Sequence, residues 1–156
     1  MGDFQDGVAA EAQANGGVVT QFSGDGAMVV FGLLDEKGLP VEGALRFVAA
    51  LADKERGWPG SGIRVGAHLG PVVAGVMGGS SHRQVTVAGD AVNVANRLQG
   101  EAKARGVVLA LSDALLSATQ EPETWVTRFG LASEGPCLLR GRSVALEIWT
   151  AKSFPV

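Results

Sequence analysis

A chain of 156 residues that is 46% apolar and only 19% charged has the material for a hydrophobic core, which excludes an intrinsically disordered polymer. Its 13 Lys and Arg against 16 Asp and Glu give a net charge of -3, too little positive charge for a broad nucleic-acid-binding surface. Cys137 is the single cysteine, so an internal disulfide and a cysteine-built metal site are excluded, and a reducing cytosol is the expected compartment.

No composition shift or linker divides the chain, which reads as one domain over residues 1–156. Apolar runs such as Ala27–Phe31 fall far short of the roughly 20 residues that span a bilayer. The start lacks the basic and apolar regions of a secretory leader. The expectation is a cytoplasmic domain that makes no membrane contact. Glycine is the compositional oddity: 23 of 156 residues is roughly twice average usage. The glycines are not periodic and sit at the ends of apolar runs, where tight turns or close ligand approach need them.

In chain order, Phe4, Val8, Ala9 and Ala12 recur at helical spacing from Asp3 to Asn15, and Asn15–Gly17 supplies a stop. The runs Val18–Phe22 and Ala27–Phe31 favour strands and flank Ser23–Gly26, predicting a hairpin with Asp25 at its tip. From Pro40 to Arg56 one face carries Val41, Ala44, Leu45, Val48, Leu51 and Ala52. This predicts a helix broken at Gly57 and the Trp58-Pro59-Gly60 triplet. Strands follow at Ile63–His68 and Val72–Met77, with a turn at Gly70-Pro71 and a break at Gly78–Ser81. Gln84–Ala88 reads as a strand leading into a helix from about Ala91 to Ala104, with Asp90 as N-cap and Gly106 as stop. Val107–Leu111 reads as strand and Ser112–Ala118 as a short helix capped by Ser112. The tail from Trp125 to Trp149 reads as strands around Gly135-Pro136 and Arg140-Gly141. The pattern is α+β, with helices on a mixed or antiparallel sheet.

Several residues carry chemistry beside a plainer reading. Asp25 between two glycines is ordinary turn chemistry, or a carboxylate on a closely approachable loop suited to a hard cation. Asn93 and Arg97, four apart, share a helix face. They are surface side chains, or an Arg for a phosphate beside an Asn that positions a sugar. Arg140 and Arg142 flank Gly141 and read as surface charge or as an anion site. His68, His82 and Cys137 have no partner at ligand or triad spacing and are assigned no chemistry.

Two long segments together are more specific. Residues 15–32 read NGGVVTQFSGDGAMVVFG. Residues 63–75 read IRVGAHLGPVVAG, and residues 85–98 then read VTVAGDAVNVANRL. In order and spacing these resemble the catalytic domain of class III adenylate and guanylate cyclases, whose hairpin carries Gly-Gly, Lys-x-x-Gly-Asp and Phe-Gly. The resemblance implies a ferredoxin-like α+β sandwich of a mixed, mostly antiparallel sheet with helices. It also implies a homodimer that converts ATP, with GTP the alternative, to a 3′,5′-cyclic nucleotide and pyrophosphate, using two magnesium or manganese ions.

Carried over by position, Asp25 is a metal aspartate, Gly24 and Arg140 contact substrate, Asn93 orients the ribose, and Arg97 stabilises charge on the transferring phosphate. The purine-reading positions are Gln21, where the family has Lys, and Gln84, where it has Asp. A Gln both donates and accepts, so adenine remains readable without the charge-assisted pair. Asn96 replaces a small residue common in the family's helix. The family's other metal Asp lies on a strand upstream of the hairpin. Only 24 residues precede Asp25, so the chain is expected to lack that strand and its helix. A catalytically silent module of the same family, which binds nucleotide or dimerises for regulation, is the alternative. A structural domain that binds nothing is the third.

Overall fold

A computed structural model describes residues 2–24, 26–33, 39–55, 62–79 and 84–154. In chain order the elements are α1 (Gly2–Ala14), β1 (Gly17–Ser23), β2 (Gly26–Phe31), α2 (Pro40–Glu55), β3 (Val65–Ala67), β4 (Val73–Met77) and β5 (Gln84–Ala88). They continue with α3 (Asp90–Arg105), β6 (Leu109–Ser112), α4 (Asp113–Ser117), α5 (Pro122–Phe129), β7 (Ala132–Cys137) and β8 (Leu146–Ala151). Asp25, His82 and the predicted break at 57–60 fall outside the described residues, as does the 80–81 part of the break predicted at Gly78–Ser81. No described helix is long and apolar enough to cross a membrane.

The chain forms two compact units, residues 1–61 with 73–88, and residues 62–72 with 89–156. In the first, Val8 and Ala12 of α1 pack against Phe47 and Leu51 of α2, flanked by Phe4, Val19, Val29 and Phe31. The Phe31 and Phe47 rings lie 5.5 Å apart, within the range where tilted aromatic pairs attract. The helix α1 stops as predicted, with Gly16 at φ 81° turning the chain into β1. The strands β1 and β2 form the predicted antiparallel hairpin, pairing Gly17 with Phe31 and Ser23 with Gly26. A second hairpin pairs β4 with β5, from Val73 opposite Ala88 to Met77 opposite Gln84.

The second unit is built on a mixed four-stranded sheet in the order β3-β6-β8-β7. β3 and β6 are parallel, whereas β8 runs antiparallel to both of its neighbours. The parallel pair requires a crossover, and α3 lies within it. Val94, Leu98 and Ala102 of α3 meet Val107, Ala110, Cys137, Leu139 and Ile148 in one buried cluster. Leu98 and Ala110 are fully buried. A Cβ on Gly66 of β3 would overlap the backbone N of Gln99 and the backbone O of Ala95 in α3, so the absence of a side chain there sets how closely helix and strand approach.

Three sequence expectations change. The N-cap of α3 is Gly89 at φ 140°, with no side-chain cap, and Asp90 is instead the first helical residue. Gly89 adopts a backbone that side-chain-bearing residues avoid, and a Cβ there would crowd Pro71 O at 3.1 Å. The strand reading at Trp125 is replaced by α5, which has Pro122 in its first turn and Gly130 as a left-handed cap. Trp125 and Phe129, four apart, are buried on its inner face, and their rings stack 5.6 Å apart. The aromatic residues that favour strands are here an i,i+4 helical pair. β3 is also shorter than the predicted Ile63–His68, covering only Val65–Ala67. Ser112 caps α4 as expected, accepting from Leu115 N at 3.3 Å.

Gly66→Ala should destabilise the protein by about 3 kcal/mol, because the added methyl meets helix backbone rather than a side chain that can rotate away. Urea unfolding of parent and variant measures it, and a change under about 0.5 kcal/mol would show that α3 can retreat freely.

Candidate functional site

The described part of the candidate phosphate site lies within the second unit. The α3 residues that face its core, Val94 and Leu98, leave Asn93 and Arg97 on the exposed side, one turn apart. The opposite wall comes from the connection between β7 and β8. There Arg142 N donates to Leu139 O at 3.1 Å, closing a four-residue turn whose third position is Gly141 at φ 82°. That position of a type II turn requires positive φ, which glycine adopts without steric cost. Leu139, only 2% exposed, anchors the start of the turn in the buried cluster with Val94 and Leu98. Asp90, Asn93, Val94, Arg97, Arg140, Gly141 and Arg142 together line a hollow of about 260 Å³.

Three guanidinium groups and one carboxylate therefore surround a single hollow. Arg142 Nη1 donates to Asp90 Oδ2 at 2.7 Å. Since the Asp90 side chain is 73% exposed, that ion pair contributes at most about 1 kcal/mol to stability. Arg142 Nε is buried and has no hydrogen-bond partner among the described residues. No ion pair joins Arg97 or Arg140 to a described carboxylate. A pocket whose cations outnumber its anions, with an amide side chain beside them, suits a phosphorylated ligand.

Sequence spacing assigned His68 no partner, but the fold supplies one. Its Nδ1 lies 2.8 Å from Ser112 Oγ, 44 residues away. Ser112 Oγ already accepts from Leu115 N, so a hydroxyl proton donated to Nδ1 suits the neutral imidazole. Burial depresses the His68 pKa, the nearby Arg142 charge depresses it further, and Asp90 partly opposes both. Cys137 is buried and weakly accepts from Arg105 Nη2 at 3.7 Å. Arg105 is also paired with Glu101 at 2.7 Å and Glu134 at 3.4 Å, which makes this a structural cluster.

The remaining candidates belong to the first unit. Gln21 on β1 and Gln84 at the start of β5 are both exposed, and their two strands approach each other. Gly24, exposed at φ 59°, turns the chain just before Asp25. Asp25, the residue the resemblance assigns to metal, lies outside the described residues. No group of three or more His, Cys, Asp or Glu side chains gathers among the described residues to hold a metal ion.

Because His68 takes up a proton less readily in the folded protein than in the unfolded chain, its contribution to stability is fully present above pH 6.5. It is lost as pH falls through the lowered folded value. Thermal unfolding from about pH 8 to about pH 5 should show a fall in midpoint that is shallower in His68→Gln. Equal slopes would remove His68 from the acid sensitivity.

Comparison with known proteins gives this geometry a lineage. Adenylate cyclase 1 of Rhizobium meliloti is 28% identical over 158 residues, covering 96% of this chain and 23% of that protein. An uncharacterised Mycobacterium tuberculosis protein is 34% identical over 116 residues, covering 73% of this chain and 21% of that protein. The chain thus spans about a fifth of the length of these curated relatives. Among solved structures, the adenylyl cyclase CyaB from P. aeruginosa superposes with a TM-score of 0.69 at 21% identity, over 96% of this chain and 78% of that one. It shares the α+β fold. The family model for the adenylate and guanylate cyclase catalytic domain matches residues 15–150. That match covers most of the chain, including both hairpins, α3 and the Arg140–Arg142 turn, and the chain accordingly belongs to the adenylate and guanylate cyclase catalytic domain family.

Proposed function

We propose that this domain is a nucleotidyl cyclase that converts ATP to 3′,5′-cyclic AMP and pyrophosphate, acting in the cytosol to produce a signalling nucleotide. The observation that carries the reading is the convergence of Asn93, Arg97 and Arg140 on one hollow, from segments more than 40 residues apart in the sequence. In the reaction the ribose 3′ oxygen bonds to the α-phosphorus. The bond from that phosphorus to the bridging oxygen breaks, pyrophosphate departs with the electron pair, and the 3′ hydroxyl proton passes to solvent.

Within this scheme Arg97 neutralises charge that builds on the transferring phosphate, an interaction that strengthens toward the transition state. Asn93 orients the ribose through an uncharged hydrogen bond. Arg140 holds the terminal phosphates, which favours binding and stabilises the departing pyrophosphate. Gln21 and Gln84 read the purine edge by donating and accepting. Gly24 lets backbone approach the nucleotide. Asp25 is assigned to a magnesium or manganese ion, which when bound would polarise the reacting oxygens. Two copies of the chain would share the nucleotide.

A catalytically silent nucleotide-binding module is the second reading, and the observation favouring it is glutamine at both purine positions, 21 and 84. Purified protein incubated with manganese and ATP, or separately GTP, and analysed by mass spectrometry should yield cyclic AMP and equimolar pyrophosphate, with no product from Asp25→Asn. Product from GTP alone would reassign the purine. A rise in melting temperature with ATP but no product would favour the silent module. Arg97→Ala should lower turnover about a hundredfold or more while changing stability by less than about 0.5 kcal/mol. Undiminished turnover would remove Arg97 from the mechanism.

A further inference from the structure

The turn that carries Arg140 is tied to α3 at both ends. At one end Leu139 is buried with Val94 and Leu98. At the other, Arg142 reaches Asp90, the first residue of the same helix, at 2.7 Å. Arg140 is therefore one residue from an apolar anchor and two from a charged one, and both anchors grip the helix that presents Asn93 and Arg97. Arg140 itself is exposed, and its long side chain has many rotamers to lose on binding an anion. Arg142 differs from it: among the described residues its Nε is shielded from solvent with no hydrogen-bond partner, while its Nη1 donates to Asp90. A buried donor left unmet is costly, and the charge-assisted bond to Asp90 offsets part of that cost.

We propose that Arg142 is a positioning residue: through Asp90 it locks the Leu139–Arg142 turn onto the first turn of α3, so that Arg140 meets a polyphosphate beside Asn93 and Arg97. The proposal deepens the cyclase reading and rests on it for the identity of the anion as a nucleotide triphosphate. It distinguishes two roles for neighbouring arginines. Arg140 touches the anion, and Arg142 acts through the backbone turn.

Asp90 provides a test in which the two roles predict opposite signs. If Arg142 were itself a phosphate ligand, Asp90→Ala would release it from its carboxylate and tighten anion binding. If it is a clamp, Asp90→Ala frees the turn and weakens binding. Titration calorimetry with inorganic tripolyphosphate should show Kd raised roughly two- to fivefold in both Asp90→Ala and Arg142→Ala. Arg142→Lys, which keeps a cation able to reach Asp90, should recover part of the loss. With ATP the same variants should raise KM by a similar factor, with any fall in kcat no larger than the rise in KM.

A lower Kd in Asp90→Ala would overturn the proposal, as would unchanged Kd in Arg142→Ala or failure of the parent protein to bind tripolyphosphate. A fall in kcat without a rise in KM would overturn it too. A parent that binds tripolyphosphate but forms no cyclic nucleotide would sink the cyclase reading alone, and the two Kd comparisons would still decide the clamp.

Discussion

The close approach of α3 to β3 at Gly66 is the constraint on which the candidate phosphate site depends. A side chain at that position would strike the helix backbone at Ala95 and Gln99. Because the contact is with backbone, no rotamer change relieves it, and the separation of helix and sheet is set by covalent geometry rather than by side-chain choice. Everything further out inherits that separation. Val94 and Leu98 reach the buried cluster, Leu139 packs against them from the β7–β8 connection, and Asn93 and Arg97 are left on the exposed side.

The two units hold different candidate residues. The first holds the residues assigned to the purine and to the cation, on hairpins whose strands expose Gln21 and Gln84. The second holds the arginine-rich hollow and supports it with a helix, a four-stranded sheet and a glycine-centred turn. The residues proposed for the phosphates therefore stand on, or one turn away from, regular elements anchored in a core. That rigidity suits the role proposed for Arg97, since charge stabilisation in a transition state relies on groups already in place when the reaction begins.

Much of this architecture was legible from local chemistry. The stops at Asn15–Gly17 and Gly106, the hairpin around Ser23–Gly26 and the Ser112 cap depend on glycine conformation or short-range hydrogen bonds, which a few adjacent residues encode. The differences have two causes. The strand reading from Trp125 passes over local signals, since Pro122 at the start and Gly130 at the end mark a helix. Asp90 was read as a cap because of its position, yet its carboxylate is taken by Arg142, 52 residues later. His68 gained its Ser112 partner in the same way. Pairings across such distances depend on the sheet order β3-β6-β8-β7, which no local pattern specifies. Helical spacing alone paired Asn93 with Arg97, whereas joining Arg140 to them rested on resemblance to a family over long segments.

The exposure of Arg97 and Arg140 also bears on how the hollow responds to its surroundings. Their attraction for an approaching anion acts through solvent, where mobile ions damp it over about 10 Å at 0.1 M ionic strength. The packing of Leu98, Ala110 and Ile148, buried and apolar, does not depend on that damping. Salt therefore separates two properties of one unit: its apolar packing persists as ionic strength rises, while the attraction of its arginines for an anion weakens. The surrounding electrolyte acts as a dial on the field in the hollow that leaves the scaffold untouched.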